Sequence, residues 1–405
     1  MVFPVTMVEF QYSRGRPDRV GASESTKKLR KTVFSIDNFS IIPYLVLFPI
    51  SKETPVDFDA NNTTPRQEAI TFSATGSEYF RIWIVNLLLS IVTLGIYSAW
   101  AKVRRNRYFY SSTHLAGGSF EYHGNAIAIL KGRIAAVVLI AGYNIAFQVS
   151  PVVGLLMFVL LAAILPWLVW KSLQFKLYNT SYRGIRFGFG GSAKEAYKYF
   201  LWLPILNTFT GGLMTPFLHQ RLKRFQHTQS RFGATHFSFD ATVGSFYKTY
   251  LLFFALLLGG LLVLIFVVFG SVFASFAANA NDKTKVGSLL FAIGALYLWA
   301  FTVLPLFLTM IQNLIWNHTR LQQHQFQSQL TWGRTTFVML SNLLGIVVTL
   351  GLFTPFAHVR WLKYRLEATS MLVHGSLDEF VAATGQQVSA TGEGMVDLLD
   401  FDLSL

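Results

Sequence analysis

The side chains of this sequence that could do chemistry are nine histidines, a set of arginines and two asparagines within apolar segments. Their spacing matches none of the common catalytic motifs: the sequence has no HExxH zinc pair, no GKS or GKT phosphate loop and no GxSxG nucleophile turn. It also has no cysteine, which excludes disulfides and thiolate metal sites. We therefore expect a protein that is not an enzyme and that carries no cofactor and no metal ion.

Two of the histidines, His219 and His358, occupy equivalent positions in two copies of a repeated segment. In a third copy the equivalent residue is Lys102. Histidines that bind a metal need further histidines or carboxylates nearby, whereas a lysine at the same place is typical of contact with an anionic headgroup. The pattern therefore favours a lipid-facing role over a metal site.

The repeated segment occurs at 93–110, 211–226 and 349–366, and we call each copy a box. Each box has a glycine, followed three residues later by Ser or Thr, then an aromatic residue and two bases. A glycine permits the backbone conformation that ends a helix, and Ser or Thr, with proline next in two copies, predicts the N-cap of a new helix. The residues that we predict to contact lipid headgroups or the membrane interface are Trp100, Arg104, Arg107, Arg221, Arg224, Arg360 and Lys363.

The second helix of each box has the composition of an interfacial helix, with aromatic rings at headgroup depth and basic side chains near the phosphates. The alternative is an ordinary basic loop that follows a membrane-spanning helix. We expect the boxes to turn the chain at the cytoplasmic surface and to anchor it on a membrane with anionic phospholipid headgroups.

Two asparagines, Asn86 and Asn342, occupy equivalent positions in the apolar segments before the first and third boxes. The segment before the middle box has Leu203 at this place. Polar groups within an apolar helix bond to a neighbouring helix or mark the path of a solute. Both interpretations of these intramembrane polar candidates stay open.

The composition places these residues in a polytopic membrane protein. Of 405 residues, 52% are hydrophobic and 13% are charged, and the mean hydropathy is +0.43. Long apolar runs near 133–149, 151–170, 250–275 and 287–315 are each of a length that can cross a bilayer as a helix. The net charge of +14 is explained by basic cytoplasmic loops, so we expect no nucleic-acid partner.

Two topologies fit these runs. Four spans, with the boxes as three re-entrant or surface hairpins, put nearly all lysines and arginines after Glu78 on one side, with Lys283 and Lys285 on the other. Seven spans would put the middle box, with Arg221, on the opposite side. The bias of basic residues toward the cytoplasm favours four spans.

A second pattern predicts strands on the same loops. Thr113, Thr180, Ser230 and Thr319 each precede a phenylalanine by seven residues, and glycines fall between several of these pairs. Such spacing is typical of short hairpins. The predicted fold class is therefore an α-helical polytopic membrane protein with internal repeats: long transmembrane helices, three short re-entrant or interfacial helix-turn-helix segments, and short cytoplasmic β-hairpins that form a small β-layer outside the hydrocarbon.

The stretch TLGIYSAWAKVRRNRY, followed by FEYHG, resembles the YjgN-like family of bacterial inner-membrane proteins, a domain family of unknown function. The resemblance covers roughly 68–380 and implies an integral protein of a Gram-negative inner membrane, with no established reaction or ligand. We predict a poorly ordered N-terminal extension at 1–67, a repeat-containing membrane domain at 68–380 and a flexible tail at 381–405.

Two functions fit these observations. One is a non-enzymatic transporter or sensor of a small solute or lipid, because internal repeats and broken helices are familiar in transporters. The other is a membrane scaffold that docks anionic lipid or a protein partner through its basic hairpins. In either case we expect the boxes and the C-terminus to be cytoplasmic; the sequence leaves a protein partner or a homo-oligomer open.

Overall fold

The computed structural model describes residues 65–278 and 282–391. Almost all of the extension predicted at 1–67 therefore lies outside the described residues, as do residues 392–405 of the predicted tail. The first part of that tail, from residue 381, belongs to a helix, Leu377–Thr391.

The described chain alternates between short strands and helices. The strands are β1 Arg66–Phe72, β2 Thr113–Leu115, β3 Gly118–Tyr122, β4 Thr180–Tyr182, β5 Ile185–Phe189, β6 Ser230–Phe232, β7 Thr235–Phe239, β8 Thr319–Leu321, β9 His324–Ser328 and β10 Thr369–Val373. The helices are α1 Gly76–Val92, α2 Ser98–Ser111, α3 Ala126–Val149, α4 Pro151–Tyr178, α5 Ala193–Tyr197, α6 Leu203–Phe209, α7 Thr215–Thr228, α8 Val243–Ala277, α9 Asp282–Asn317, α10 Trp332–Val348, α11 Thr354–Glu367 and α12 Leu377–Thr391, with a π-helical turn, Lys198–Trp202, between α5 and α6.

The ten described strands form a closed antiparallel barrel in the order β1-β10-β9-β8-β7-β6-β5-β4-β3-β2. Strand β1 closes it, because its first half pairs with β10 (Ala69 opposite Ser370) and its second half pairs with β2 (Phe72 opposite Thr113). Closure satisfies the backbone groups that an open sheet edge would leave unpaired.

The predicted α-helical fold class was wrong, because the short hairpins join into this closed ten-stranded barrel. The strands themselves were predicted where they occur, at β2–β3, β4–β5, β6–β7 and β8–β9. The pair that closes the barrel could not be recognised as a hairpin, since β1 and β10 come from opposite ends of the domain. Gln67 and Ser370, for example, form a side-chain hydrogen bond across 303 positions of sequence.

Each helix that leads into a strand of the barrel ends at a junction, and these junctions contain the same type of hydrogen bond. In each, the hydroxyl of the first strand residue donates to the carbonyl oxygen four residues earlier, which ends the helix as the strand begins. The bonds are Thr113 to Phe109 at 2.8 Å, Thr180 to Lys176 at 2.9 Å, Ser230 to Gln226 at 2.6 Å, Thr319 to Ile315 at 2.8 Å and Thr369 to Arg365 at 3.0 Å. Because each strand pair reverses the chain, the following helix leaves from the same end of the barrel.

The described helices between these junctions form five helical hairpins on one side of the barrel. Two are long, α3–α4 and α8–α9, and they supply the four segments of the described chain that are long and apolar enough to cross a membrane. These candidate spans are Ala126–Val149, Pro151–Tyr178, Val243–Ala277 and Val286–Asn317. Even the shortest, with 24 residues, extends about 36 Å as an α-helix. The other three hairpins, α1–α2, α5/α6–α7 and α10–α11, are short and contain the boxes.

Each box forms the turn at the tip of a short hairpin. Its glycine has a positive φ, for example 89° at Gly95 and 95° at Gly351, which a glycine adopts without strain. The Ser or Thr three residues later donates a hydrogen bond to that glycine's carbonyl oxygen, at 2.6 Å for Thr354. This hydroxyl ties the turn together, and the predicted N-cap role was wrong: the N-cap residue is Phe353, whose side chain makes no cap bond.

The box turns lie at the end of each short hairpin that is farthest from the barrel. Helix α1 has 17 residues, so the turn is about 25 Å from the strand that precedes it. The tips are apolar: Leu94 and Leu350 are each 94% exposed. The basic residues of the boxes follow on the helix that returns to the barrel.

Candidate functional site

The interior of the barrel is built from two layers of large side chains. Because strand residues alternate between the two faces, the residue two places after each junction hydroxyl points inward. This layer consists of Leu115, Tyr182, Phe232, Leu321 and Met371, all of them buried. The second layer, contributed by the partner strands, consists of Ile70, Phe120, Phe187, Phe237 and Phe326, which pack with the first layer in one cluster.

The phenylalanines of the second layer form a continuous aromatic wall. Neighbouring ring centroids are 6.3 Å apart for Phe120 and Phe187, 6.4 Å for Phe187 and Phe237, and 6.2 Å for Phe237 and Phe326. The rings are within 28° of parallel at each step. Their faces therefore line an apolar space and do not fill it completely.

This space is a cavity of about 410 Å³, a size typical of small-molecule sites in proteins. Its lining is largely apolar, and Gln312 of α9 and Arg365 of α11 lie at the end where the helices enter. Trp316 of α9 also lines it and packs against Phe326 with ring centroids 5.4 Å apart.

Helix α12 covers the opposite end of the barrel. Its Leu377, Phe380 and Val381 line the cavity, and the Phe380 ring contacts His324, with centroids 4.8 Å apart. An ion pair between Arg183, in the β4–β5 turn, and Asp378 joins the helix to the rim. The cavity is thus bounded by apolar side chains at the far end and by helix ends at the near end.

The charged group of the cavity lining, Arg365, lies at the near end, with further basic residues close by. Arg365 is partly buried, and its Nε donates a 2.6 Å hydrogen bond to Oε1 of Gln312. Burial lowers the pKa of the Arg365 guanidinium, which nevertheless stays charged near neutral pH. On α7, burial, followed by the nearby charges of Lys176 and Arg365, lowers the pKa of Lys223. None of the ion pairs of the described residues includes Lys176, Lys223 or Arg365, so this end of the cavity is electropositive.

A histidine lies beside the same end. His227 of α7 stacks on Phe239 with centroids 5.3 Å apart, and its Nδ1 is 3.2 Å from the Thr319 hydroxyl. Burial, with a smaller contribution from the Lys223 charge, lowers the pKa of His227 to about 4. The described residues contain no group of three His, Cys, Asp or Glu side chains that could hold a metal ion.

The lowered pKa of His227 predicts that acidification destabilises the fold. The unfolded chain takes up the proton below its ordinary histidine pKa of about 6.5, whereas folded His227 stays neutral down to about 4. Between these values stability falls as pH falls, by up to about 1.4 kcal/mol per pH unit for this one group. Thermal unfolding in detergent between pH 7 and pH 5 measures this. We expect His227→Gln to make the dependence shallower, while His219, whose pKa is also lowered to about 4 by burial, still contributes. His236→Gln, on the outer wall of β7, should leave the dependence unchanged; equal slopes in both variants would contradict the assignment.

The basic residues predicted to contact headgroups differ in their surroundings. Arg104, Arg107 and Arg224 are exposed on the returning helices. Trp100 stacks with Tyr97 near the first tip, with centroids 6.3 Å apart, and the Arg221 guanidinium lies 5.0 Å above the Phe217 ring.

In the third box, two basic side chains form hydrogen bonds or an ion pair with other residues of the same hairpin. Arg360 donates hydrogen bonds to Oδ1 of Asn342 at 2.8 Å and to the Ser341 hydroxyl at 3.0 Å, and Lys363 forms an ion pair with Glu367 at 3.7 Å. The headgroup contacts remain a prediction for all of these residues.

The two asparagines lie inside the short hairpins, away from the barrel cavity. Nδ2 of Asn342 donates to the carbonyl of Ala357 at 3.1 Å, which joins α10 to α11. Asn86 is buried at the equivalent place in α1, and its Oδ1 has no hydrogen-bond partner among the described residues. Arg104 follows Asn86 at the same spacing at which Arg360 follows Asn342, but Arg104 is exposed.

The cavity residues Arg365 and Gln312, and Lys223 near Arg365, were not among the predicted site residues. Arg365 lies four positions before Thr369, the first residue of β10, and Gln312 lies seven positions before Thr319. The hairpin that begins at Thr319 was predicted from the sequence, but Gln312 and Arg365 stand at different distances before their strands, so no common spacing pointed to them. Arg365 became recognisable only when β10 was known to be a strand of the barrel.

Comparison with known proteins agrees with the architecture. The family model described as "Bacterial protein of unknown function (DUF898)" matches residues 67–398, the segment that begins in β1 and contains all the helical hairpins. The chain belongs to this family.

The curated relatives reported for this chain carry the name YjgN, which confirms the resemblance to YjgN-like proteins. The "Inner membrane protein YjgN" of Escherichia coli O157:H7 is 24% identical over 366 residues, which cover 77% of this chain and 89% of the relative. The protein of the same name from Salmonella typhimurium is 35% identical over 138 residues, which cover 34% of this chain and only 35% of the relative. No solved structure matches the chain. With its four apolar helices, this family member is an integral inner-membrane protein.

Proposed function

We propose that this protein is a non-enzymatic transporter or sensor that takes a lipid-like molecule into its barrel. The observation that carries the proposal is the apolar cavity of about 410 Å³ inside the barrel. A closed barrel whose interior is not filled by side chains is the arrangement used to hold small ligands. Binding and release need no catalytic step, cofactor or metal ion.

The placement of the barrel supports access to lipid. Every helical hairpin of the described chain leaves the barrel on one side, so the long hairpins cross the bilayer while the barrel lies at one membrane face. The short hairpins, about 25 Å long, enter the bilayer and return, with apolar tips at Leu94, Leu213 and Leu350. The near end of the cavity then lies at headgroup depth.

The distribution of charge supports a cytoplasmic location for this face. Arg104, Arg107 and Arg224 are exposed on helices that return to the barrel, and basic residues are enriched on the cytoplasmic side of membrane proteins. Anionic headgroups of the inner leaflet are the partners that these side chains would contact. Since α12 covers the barrel, the C-terminal helix lies on the same side.

We infer that the five hairpins represent an internal repeat.

The alternative function is a scaffold that docks on anionic lipid or a protein partner. The exposed arginines on two of the short hairpins favour it. A scaffold would use the outer surface of these hairpins and would not depend on the space within the barrel. Filling the cavity therefore separates the two functions.

The test fills the cavity from one side with Leu362→Trp, because Leu362 of α11 lines it. Leu352→Trp, in an exposed part of the third box turn, is the matched control. Each protein is purified in zwitterionic nanodiscs, and the lipid that it retains is measured by native mass spectrometry. We expect bound lipid to fall at least tenfold in Leu362→Trp and to be unchanged in Leu352→Trp. Equal retention in both variants would contradict lipid binding in the barrel.

A further inference from the structure

We infer that the ligand of the barrel is an amphipathic anion: one acyl chain lies against the aromatic wall, and a carboxylate or phosphate head binds Arg365. This inference rests on the proposed function and specifies its ligand. It follows from the position, the free donors and the uncompensated charge of one side chain.

The first step is the position of the charge. The residues that line the cavity include one that carries a formal charge at neutral pH, Arg365, and no Asp or Glu. Arg365 lies at the near end, together with Gln312, whereas the far end is covered by Leu377, Phe380 and Val381 of α12. The cavity therefore has a cationic end and an apolar end, the complement of an amphipathic anion.

The second step is the orientation of the guanidinium. Its Nε is held by Oε1 of Gln312 at 2.6 Å, and Trp361 packs against it, with the guanidinium carbon 5.6 Å from the ring centroid. Neither Nη nitrogen has a hydrogen-bond partner among the described residues. An arginine fixed in this way presents two parallel donors, which match the two oxygens of a carboxylate or phosphate.

The third step is the balance of charge around it. Lys223, which itself lies near Lys176, adds positive charge near Arg365, and the nearest acidic residue in sequence, Glu367, is paired with Lys363 on another face of α11. A partly desolvated cation without a counter-ion is costly, and an anionic head offsets that cost. A neutral hydrocarbon would leave the guanidinium unpaired, and a cationic amphiphile would be repelled.

The head could belong to a free fatty acid or to an anionic phospholipid of the bilayer. Both share an acyl chain and a head with oxygens that accept from the two Nη donors. In both cases the head lies at the membrane-proximal end and the chain extends toward α12.

The experiment uses Trp316, which lines the cavity, as a reporter. Full-length protein in phosphatidylcholine nanodiscs is titrated with dibrominated stearate, whose bromines quench tryptophan on contact. Comparison with Trp316→Phe isolates the signal of this one residue. Dibrominated stearyl alcohol supplies the same chain without the charge, and dibrominated phosphatidylglycerol in the nanodisc supplies the phospholipid head.

We expect the acid to quench Trp316 and to bind at least tenfold more tightly than the alcohol. Arg365→Gln should weaken acid binding at least tenfold, and Arg365→Lys, which keeps the charge but loses the paired donors, should weaken it less than Arg365→Gln does. Lys194→Gln, which removes the same charge from an exposed side chain of α5, is the control and should bind as the unmodified protein does. Quenching by the phospholipid would identify the bilayer as the source, and quenching by the acid alone would identify a free fatty acid.

Two results would overturn the inference. If the alcohol binds as tightly as the acid, or Arg365→Gln binds the acid unchanged, the anionic head is wrong while binding in the cavity stands. If neither compound quenches Trp316, the proposed function itself fails. The comparison of acid with alcohol uses the unmodified protein, so it decides the question even if Arg365→Gln does not fold.

Discussion

A cysteine at Lys283 is expected to react with a membrane-impermeant maleimide in intact cells, whereas cysteines at Ser238 and Leu94 are not. Lys283 lies at the start of α9, at the far end of the long α8–α9 hairpin, and Ser238 is exposed on the outer barrel wall in β7. Helix α8 has 35 residues and extends about 52 Å, enough to carry its far end across a hydrocarbon core of about 30 Å. The chain has no native cysteine, so the labelling has no background.

Labelling after the reagent has been given access to the cytoplasmic side provides the control for the same three variants. In inverted or permeabilised vesicles, Ser238→Cys is expected to become labelled. Leu94→Cys should remain unreactive, because we propose that the tip of the α1–α2 hairpin lies within the bilayer. Labelling of Ser238→Cys in intact cells would mean that the barrel faces the other side, and labelling of Leu94→Cys in intact cells would mean that the short hairpin crosses.

Replacing Ile70 with aspartate is expected to prevent the barrel from closing. Ile70 of β1 is buried in the barrel interior and pairs with Leu115 of β2. Removing a large buried side chain costs about 2–5 kcal/mol, and an unpaired carboxylate in an apolar interior adds to that cost. Since domains are stabilised by only about 5–15 kcal/mol, we expect little folded Ile70→Asp protein.

The neighbouring residue supplies a matched control. Thr71 is on the same strand but is exposed on the outer face, so Thr71→Asp should change stability by no more than about 0.5 kcal/mol. Yield after size-exclusion chromatography and resistance to limited proteolysis compare the two variants. If Ile70→Asp were as stable as Thr71→Asp, β1 would not be the strand that closes the barrel.

The strands show how far the sequence could be interpreted without the structure. A hydroxyl residue followed by a phenylalanine seven residues later identified the hairpins beginning at Thr113, Thr180, Ser230 and Thr319. In those hairpins both strands are adjacent in sequence, so a local pattern contains the whole unit. The strand that begins at Thr369, β10, pairs instead with β1, which lies almost the full length of the domain away in sequence. No local spacing connects these two strands.

The cavity was even less predictable. Its aromatic residues were visible as part of the strand pattern, but phenylalanine at alternate positions is equally typical of a filled core. Whether ten strands leave a space depends on the tilt and number of strands in the closed barrel. The role inferred for Arg365 arises in the same way, because α9 brings Gln312 to it from 53 positions away.

The sequence by itself determined the membrane-spanning segments, the glycine turns and most of the strands, because hydrophobic length, backbone freedom and side-chain alternation act over a few residues to a few turns. It also determined the family, through motifs that are local in the same sense. Only the tertiary structure decided that the strands close into a barrel, that every described helical hairpin leaves it on one side, and that an apolar cavity ends at an arginine. These features depend on pairing between segments far apart in the chain, where the free energy of closure belongs to the whole set of strands.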